Sequence, residues 1–189
     1  MADPQLAVAR DNSPLKAVII AFVVLAAIIA AVVFLNPTRT ADLSVVSVRT
    51  FAPHTEYKSA PGSIHVIGQA NQSEDNLYVA ATVKLDDKLR LPLFVSSVSG
   101  TMTAADGTTY QASSVSTHDF TRVGAIFPDM APALTHPLED GAEAPPGGSA
   151  SGTVLLLFPG MNADAWAKKK SATLQIGLAH QDALTVALP

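Results

Sequence analysis

Nineteen consecutive residues, Ala17 to Leu35 (AVIIAFVVLAAIIAAVVFL), contain no charge, no polar side chain, no glycine and no proline. At about 1.5 Å per residue a helix of this length spans roughly 28 Å, close to the hydrocarbon thickness of a bilayer. A helix on a soluble protein keeps a polar face, and a chain of 189 residues is too short to bury such a cylinder on every side. The segment therefore reads as a transmembrane helix, with Lys16 at one boundary, Asn36-Pro37 stopping it at the other and Arg39 just beyond. A cleaved signal peptide has a shorter apolar region, about 7–15 residues, ending in small side chains. Here the end is Val32-Val33-Phe34-Leu35, so an uncleaved signal anchor is expected.

Basic residues flank both ends of the helix, and orientation rests on size instead. Residues 1–16 are expected to stay in the cytoplasm while the larger C-terminal domain is exported to the periplasm or the cell exterior, which fits a bacterial inner membrane. Within the helix, Ala17 and Ala21, Ala26 and Ala30, and Ala27 and Ala31 recur at spacing four. Such a ridge of small side chains allows close helix approach, so Ala26, Ala27, Ala30 and Ala31 are candidate packing positions for self-association, beside the plain reading of an alanine-rich anchor.

After the helix come a polar stretch, residues 36–42, and then one domain of ordinary size, residues 43–189. Beyond residue 35 there are ten Lys and Arg against fourteen Asp and Glu. A mildly acidic domain lacks the clustered cations that hold phosphate backbones, which argues against nucleic acid as a partner. The longest basic run, Lys168-Lys169-Lys170, reads as a solvated surface. The chain has no cysteine, so disulfides, thiolate metal sites and cysteine nucleophiles are excluded, although export is not.

Strand patterns recur through the domain, and none shows a sustained 3.6-residue period. Leu43–Arg49, Ser63–Ile67, Leu77–Leu85, Leu93–Thr103, Thr109–Ala112, Gly152–Pro159, Ala172–Leu178 and Ala183–Leu188 are the expected strands. The third alternates cleanly, with Leu77, Val79, Ala81, Val83 and Leu85 on one face. Asp106-Gly107 between two β-prone arms is a strong hairpin signal. These features predict an all-β fold, an immunoglobulin-like β-sandwich of about seven or eight strands behind a single transmembrane α-helix. Between Ser116 and Ser151, Pro128, Pro132, Pro137, Pro145, Pro146 and Gly147-Gly148 interrupt the pattern, and a long loop is expected. Its apolar Ile126, Phe127 and Met130 would form an exposed contact surface, the alternative being that Ile126 and Phe127 pack onto the sandwich.

The order of these features resembles the immunoglobulin-like extracytoplasmic domains of bacterial membrane-anchored proteins and lipoproteins grouped as the DUF4352 or telokin-like family. The resemblance covers about residues 43–188. It rests on Leu77–Leu85, the Leu91-Pro92-Leu93 step, the hairpin at Ala105-Asp106-Gly107-Thr108-Thr109-Tyr110, and Pro146-Gly147-Gly148-Ser149-Ala150-Ser151-Gly152 leading into a strand that ends Phe158-Pro159. It implies a sandwich and brings no catalytic residues. The chain lacks the lipobox cysteine of the lipoproteins, which leaves the helix as its tether.

No residue pattern specifies chemistry. His54, His65, His118, His136 and His180 show no metal-ligand spacing, and no metal or cofactor is expected. Ser116 and His118-Asp119 are neighbours in sequence, which does not make a triad. Asp129, Glu139, Asp140 and Glu143 lack the spacing of a calcium loop, and Gly147-Gly148 lacks a phosphate-loop context and reads as a turn. Asn71-Gln72-Ser73 is a lone glycosylation sequon. Trp166, the single tryptophan, lies in a predicted helical turn and would cap the sandwich or join the contact surface. The reading is a membrane-anchored, non-enzymatic extracytoplasmic module that serves as an interaction or scaffold element in an envelope assembly. The alternative is a small-ligand or carbohydrate-binding module built from the 116–151 segment and Trp166.

Overall fold

A computed structural model describes residues 14–35, 40–57 and 72–189. The chain divides into two compact units, one ending at Thr38 and the other spanning Arg39–Pro189. In the first, helix α1 runs Pro14–Leu35. It opens on Pro14, whose missing N–H would have had no partner in a first turn anyway. Residues Pro14–Phe34 are long and apolar enough to cross a membrane, the most apolar 18-residue window having a mean hydropathy of 3.3. Large apolar side chains cover all its faces, and Ala26, Ala27, Ala30 and Ala31 lie exposed among them.

The described residues of the second unit form nine strands: β1 (Ala41–Phe51), β2 (His54–Tyr57), β3 (Gln72–Asp87), β4 (Leu93–Thr103), β5 (Thr109–Ser114), β6 (Glu143–Ala144), β7 (Ser149–Pro159), β8 (Ser171–Leu178) and β9 (Gln181–Ala187). Pairing is antiparallel throughout, in the order β1-β3-β7-β5-β4-β8-β9, with β2 added to β3 and β6 to β4. The path folds over on itself at β5. Thr109–Ala112 pair with β4, whereas Ser113 and Ser114 pair with β7. One layer is thus β1-β3-β7 and the other β5-β4-β8-β9. This division of strands is the immunoglobulin-like arrangement, and the fold is an all-β sandwich.

The core between the layers takes alternate residues from each strand. Leu77, Val79, Ala81, Val83 and Leu85 of β3 and Val154, Leu156 and Phe158 of β7 face Val95 and Met102 of β4 and Ala172, Leu174, Ile176 and Leu178 of β8. In β1 the alternation breaks. Its register against β3 shifts between Val45 and Ser47, leaving Val46 exposed. This bulge lets Leu43, Val45 and Val48 all pack on the core, and it turns Ser47, Arg49 and Phe51 to the outer face.

The Asp106-Gly107 hairpin forms as expected. Gly107 N–H donates to the Ala104 carbonyl at 3.0 Å, Thr108 N–H donates to Asp106 Oδ1 at 2.8 Å, and Gly107 takes a φ of +91° that other residues avoid. At the other end of the sandwich Asp87 is 3 % exposed. Its carboxylate accepts the N–H groups of Leu89 at 2.7 Å and Gly147 at 3.3 Å. The Gly147-Gly148 pair is therefore a turn held against the β3–β4 corner.

The 116–151 segment is not a featureless loop. It contains a 3-10 turn at Thr117–Asp119, helix α2 (Phe120–Ile126), a second 3-10 turn at Ala131–Ala133, strand β6 and the start of β7. β1 begins at Ala41, two residues before the sequence pattern places it. The expected strand Ser63–Ile67, with His65, and Asn71 of the sequon lie outside the described residues.

Candidate interaction surface and neighbouring recesses

β3 and β7 carry apolar residues on both faces. Outward from the main core they present Tyr78, Ala80 and Leu155, beside Phe51 of β1. A sheet face of this kind must be covered. The cover is the segment from Val115 to Leu134. Phe120 and Val123 of α2, then Phe127, Met130, Ala133 and Leu134, pack onto the outer face as a second core. The rings of Phe127 and Tyr78 lie 5.8 Å apart at a tilt of 50°.

The cover separates the residues expected to form one contact surface. Met130 is 1 % exposed, so it is a core residue and not a surface one. Phe127 is half-buried against Tyr78. Ile126, one residue away on α2, turns outward and is 59 % exposed. Ile126 and Phe127 form one side of a recess of about 290 Å³, with Phe51 and Pro53 opposite, Met130 at its floor and Asp129 among its lining residues.

Trp166 belongs to neither the cover nor this recess. It sits in helix α3 (Ala163–Ala167), where Asn162 Oδ1 caps the first turn by accepting Ala165 N–H at 3.0 Å. It is 8 % exposed in the main core, with its ring 6.1 Å from that of Phe158. Trp166 thus closes the sandwich core, and its assignment to the contact surface is corrected by that burial. Lys169 Nζ lies 4.2 Å from the indole centroid and donates to the Pro189 carbonyl at 2.9 Å. Burial there pushes the Lys169 ammonium below its ordinary pKa.

A second recess, of about 270 Å³, opens where β5 leaves β4 for β7. Hydroxyls of Ser96, Ser97, Ser114, Ser116 and Thr117 line it together with Asp140. Ser116 Oγ is 3.4 Å from His118 Nδ1, a long contact. Among the described residues no hydrogen bond joins Asp119 to that imidazole, because both side chains project from one short exposed turn. Nor do any three His, Asp or Glu side chains converge as a metal site among the described residues. Asp129 and Asp140 line different recesses, and Glu143 pairs its backbone with Phe94. His54 Nδ1 lies 2.7 Å from Asp75 Oδ1 across the β2–β3 pair.

No family model matches the chain, and neither does any curated protein sequence. Among solved structures, an uncharacterized β-sandwich protein from Clostridium difficile 630 is 7% identical, with a TM-score of 0.34 over 82% of this chain and 89% of that one. The Northeast Structural Genomics Consortium target SoR45 is 10% identical, with a TM-score of 0.32 over 76% and 83%. The sandwich assignment rests on the strand order itself.

Proposed function

We propose that the protein is a non-enzymatic, membrane-anchored module whose sandwich lies outside the cytoplasm and docks a protein partner in an envelope assembly. The reading includes a signal-anchor role for α1 with the N-terminus cytoplasmic. It also includes kinship with the DUF4352-type domains, which the strand order supports at the level of fold. The observation that carries it is the ledge at Ile126. A large aliphatic side chain stands exposed beside a largely apolar recess, on a helix whose Phe120 and Val123 are packed down. A recess of this kind receives an anchor side chain from the partner, and the exposed Ile126 beside it widens the apolar contact.

The test is site-specific photo-crosslinking from position 126 in the full-length membrane protein, with position 84 on β3 as the control. A single defined adduct from 126, absent from 84 and lost on Phe51→Ser, is expected. A protein that extracts as a lone monomer with no adduct at 126 would remove the proposal. The serine-lined recess favours a second reading, a small polar ligand held by hydroxyls and Asp140. A thermal-shift screen with sugars, compared with Ser97→Val, separates the two.

A further inference from the structure

We propose that a third recess, on the outer face of β1-β3-β7, binds a phosphoryl group. Its floor is set by strand register. Ser47 of β1 is directly opposite Thr82 of β3, and Thr82 is directly opposite Thr153 of β7. With neighbouring strands about 4.8 Å apart, the three hydroxyl residues form one row roughly 10 Å long. Thr82 Oγ1 and Thr153 Oγ1 are 3.0 Å apart, so one hydroxyl donates to the other, and the accepting hydroxyl keeps its own proton. Thr153 is buried, which is an unusual place for a hydroxyl unless it serves a turn, a network or a ligand.

The walls bring a guanidinium and an imidazole to this row. Arg49 stands one step along β1 from Ser47, opposite Ala80, whose small side chain leaves room beside the guanidinium. On the other side Thr153 N–H donates to the His136 carbonyl and Leu138 N–H donates to the Thr153 carbonyl. These backbone bonds pin Thr135 and His136 along the β7 side of the row. The resulting recess holds about 150 Å³, and no Asp or Glu lines it. The other two recesses each contain an aspartate, Asp140 or Asp129.

Guanidinium, imidazole and the three hydroxyl protons left over from the Thr82–Thr153 bond supply donors from several directions, which suits a tetrahedral oxyanion better than a flat, neutral sugar ring. Arg49 presents paired N–H groups to two phosphoryl oxygens, the Ser47 and Thr135 hydroxyls reach the others, and the His136 imidazole adds a ring N–H donor. The chemistry is that of a phosphate monoester, carried either by a soluble metabolite or by a lipid headgroup.

The experiment uses full-length protein in phosphatidylcholine nanodiscs, titrated calorimetrically with inorganic phosphate and with glycerol 1-phosphate. A parallel set of nanodiscs contains phosphatidic acid, and amide shifts of Arg49, Thr82 and Thr153 are compared between the two lipid compositions. Arg49→Gln is expected to weaken binding by about tenfold or more, as the loss of a charge-assisted pair does. His136→Gln is expected to weaken it several-fold, with unchanged unfolding midpoints showing that both variants remain folded. Saturation by soluble phosphates that depends on Arg49 supports the site with a soluble ligand. Shifts confined to phosphatidic acid nanodiscs and lost in Arg49→Gln support it with a lipid ligand. Absence of saturation by soluble phosphates together with absence of lipid-dependent shifts, or equal affinity in wild type and Arg49→Gln, overturns it.

Discussion

Replacing Met130 by alanine asks whether the cover over β1-β3-β7 folds as part of the sandwich. Met130 is 1 % exposed, wedged with Phe120 and Leu134 against Ala80 and Leu155. Truncating a fully buried side chain of this size costs about 2–5 kcal/mol, from lost transfer energy and the cavity left behind. With a urea dependence of roughly 2 kcal/mol per molar for a domain of this size, the midpoint falls by about 1–2.5 M. Fluorescence supplies the assay. Trp166 is the only tryptophan and packs on Phe158 in the main core, away from Met130, so its emission reports the sandwich and not the cover. Ala80 and Leu155 lie on the strands whose alternate residues build the main core, so the two cores share a backbone. Met130→Ala should therefore shift the Trp166 transition by nearly the full amount, as should Leu156→Ala in the main core. Ile126→Ala, at an exposed position, should move it by less than about 0.5 kcal/mol. An unchanged Trp166 midpoint in Met130→Ala would show that the cover detaches by itself and would refute the shared-backbone account.

Gly152→Ala is expected to destabilise by about 1–3 kcal/mol in the same urea assay, because the added methyl would lie 2.6 Å from the backbone of Leu138 where Pro137 bridges to Thr153. Wild-type stability would show that the bridge is loose. The Thr108 N–H bonded to Asp106 holds that carboxyl below the usual aspartate value of 3.8. A lowered folded pKa stabilises the hairpin fully above 3.8, and the contribution is lost as pH falls through the lower folded value. A carbon-13 titration should place the Asp106 midpoint below 3.8, with the Thr108 amide shift tracking it, and Asp106→Asn should abolish that step. Ile28→Arg places a charge near the middle of α1 and should cost about 3 kcal/mol of insertion. An insertion assay with glycosylation reporters on each flank should show the wild-type segment spanning and Ile28→Arg spanning less, and a wild-type segment that fails to span would count against the anchor.

How legible all this was depends on whether the signal was local. The alternation of β3, the Asp106-Gly107 hairpin and the apolar run of α1 are local, and the expected elements formed there. The bulge at Val46 was hidden, since Val45-Val46-Ser47-Val48 reads equally well in two registers and only the partner strand chooses between them. The cover was half visible. Phe120, Val123, Phe127, Met130 and Leu134 repeat at a spacing of three and four that marks one face of a helix, but Pro128 and Pro132 break the segment and made it read as loop. A second clue lay in Val154-Leu155-Leu156-Leu157-Phe158, an unbroken apolar run that belongs to a strand buried on both faces. Such a strand requires a cover, and the long stretch 116–148, with little strand pattern of its own, was the available one. On those grounds Met130 belongs inside and Ile126 outside.

The hydroxyl row lies on the side of the sheet where alternation predicts solvent. Ser47, Arg49, Thr82 and Thr153 occupy outward positions, and each alone reads as a solvated polar residue. Ser47, Thr82 and Thr153 become a row, with Arg49 at its side, only through the β1-β3-β7 register, which joins residues 35 and 71 positions apart. The cover leaves this face open at two places of opposite character. One is apolar beside Ile126, and the other is cationic and hydroxyl-lined beside Arg49. The segment that closes the second core also walls both openings, with Ile126, Phe127 and Met130 in one and Pro132 and Ala133 in the other, where His136 follows just beyond it. Docking at the first would thus press on the residues that shape the second.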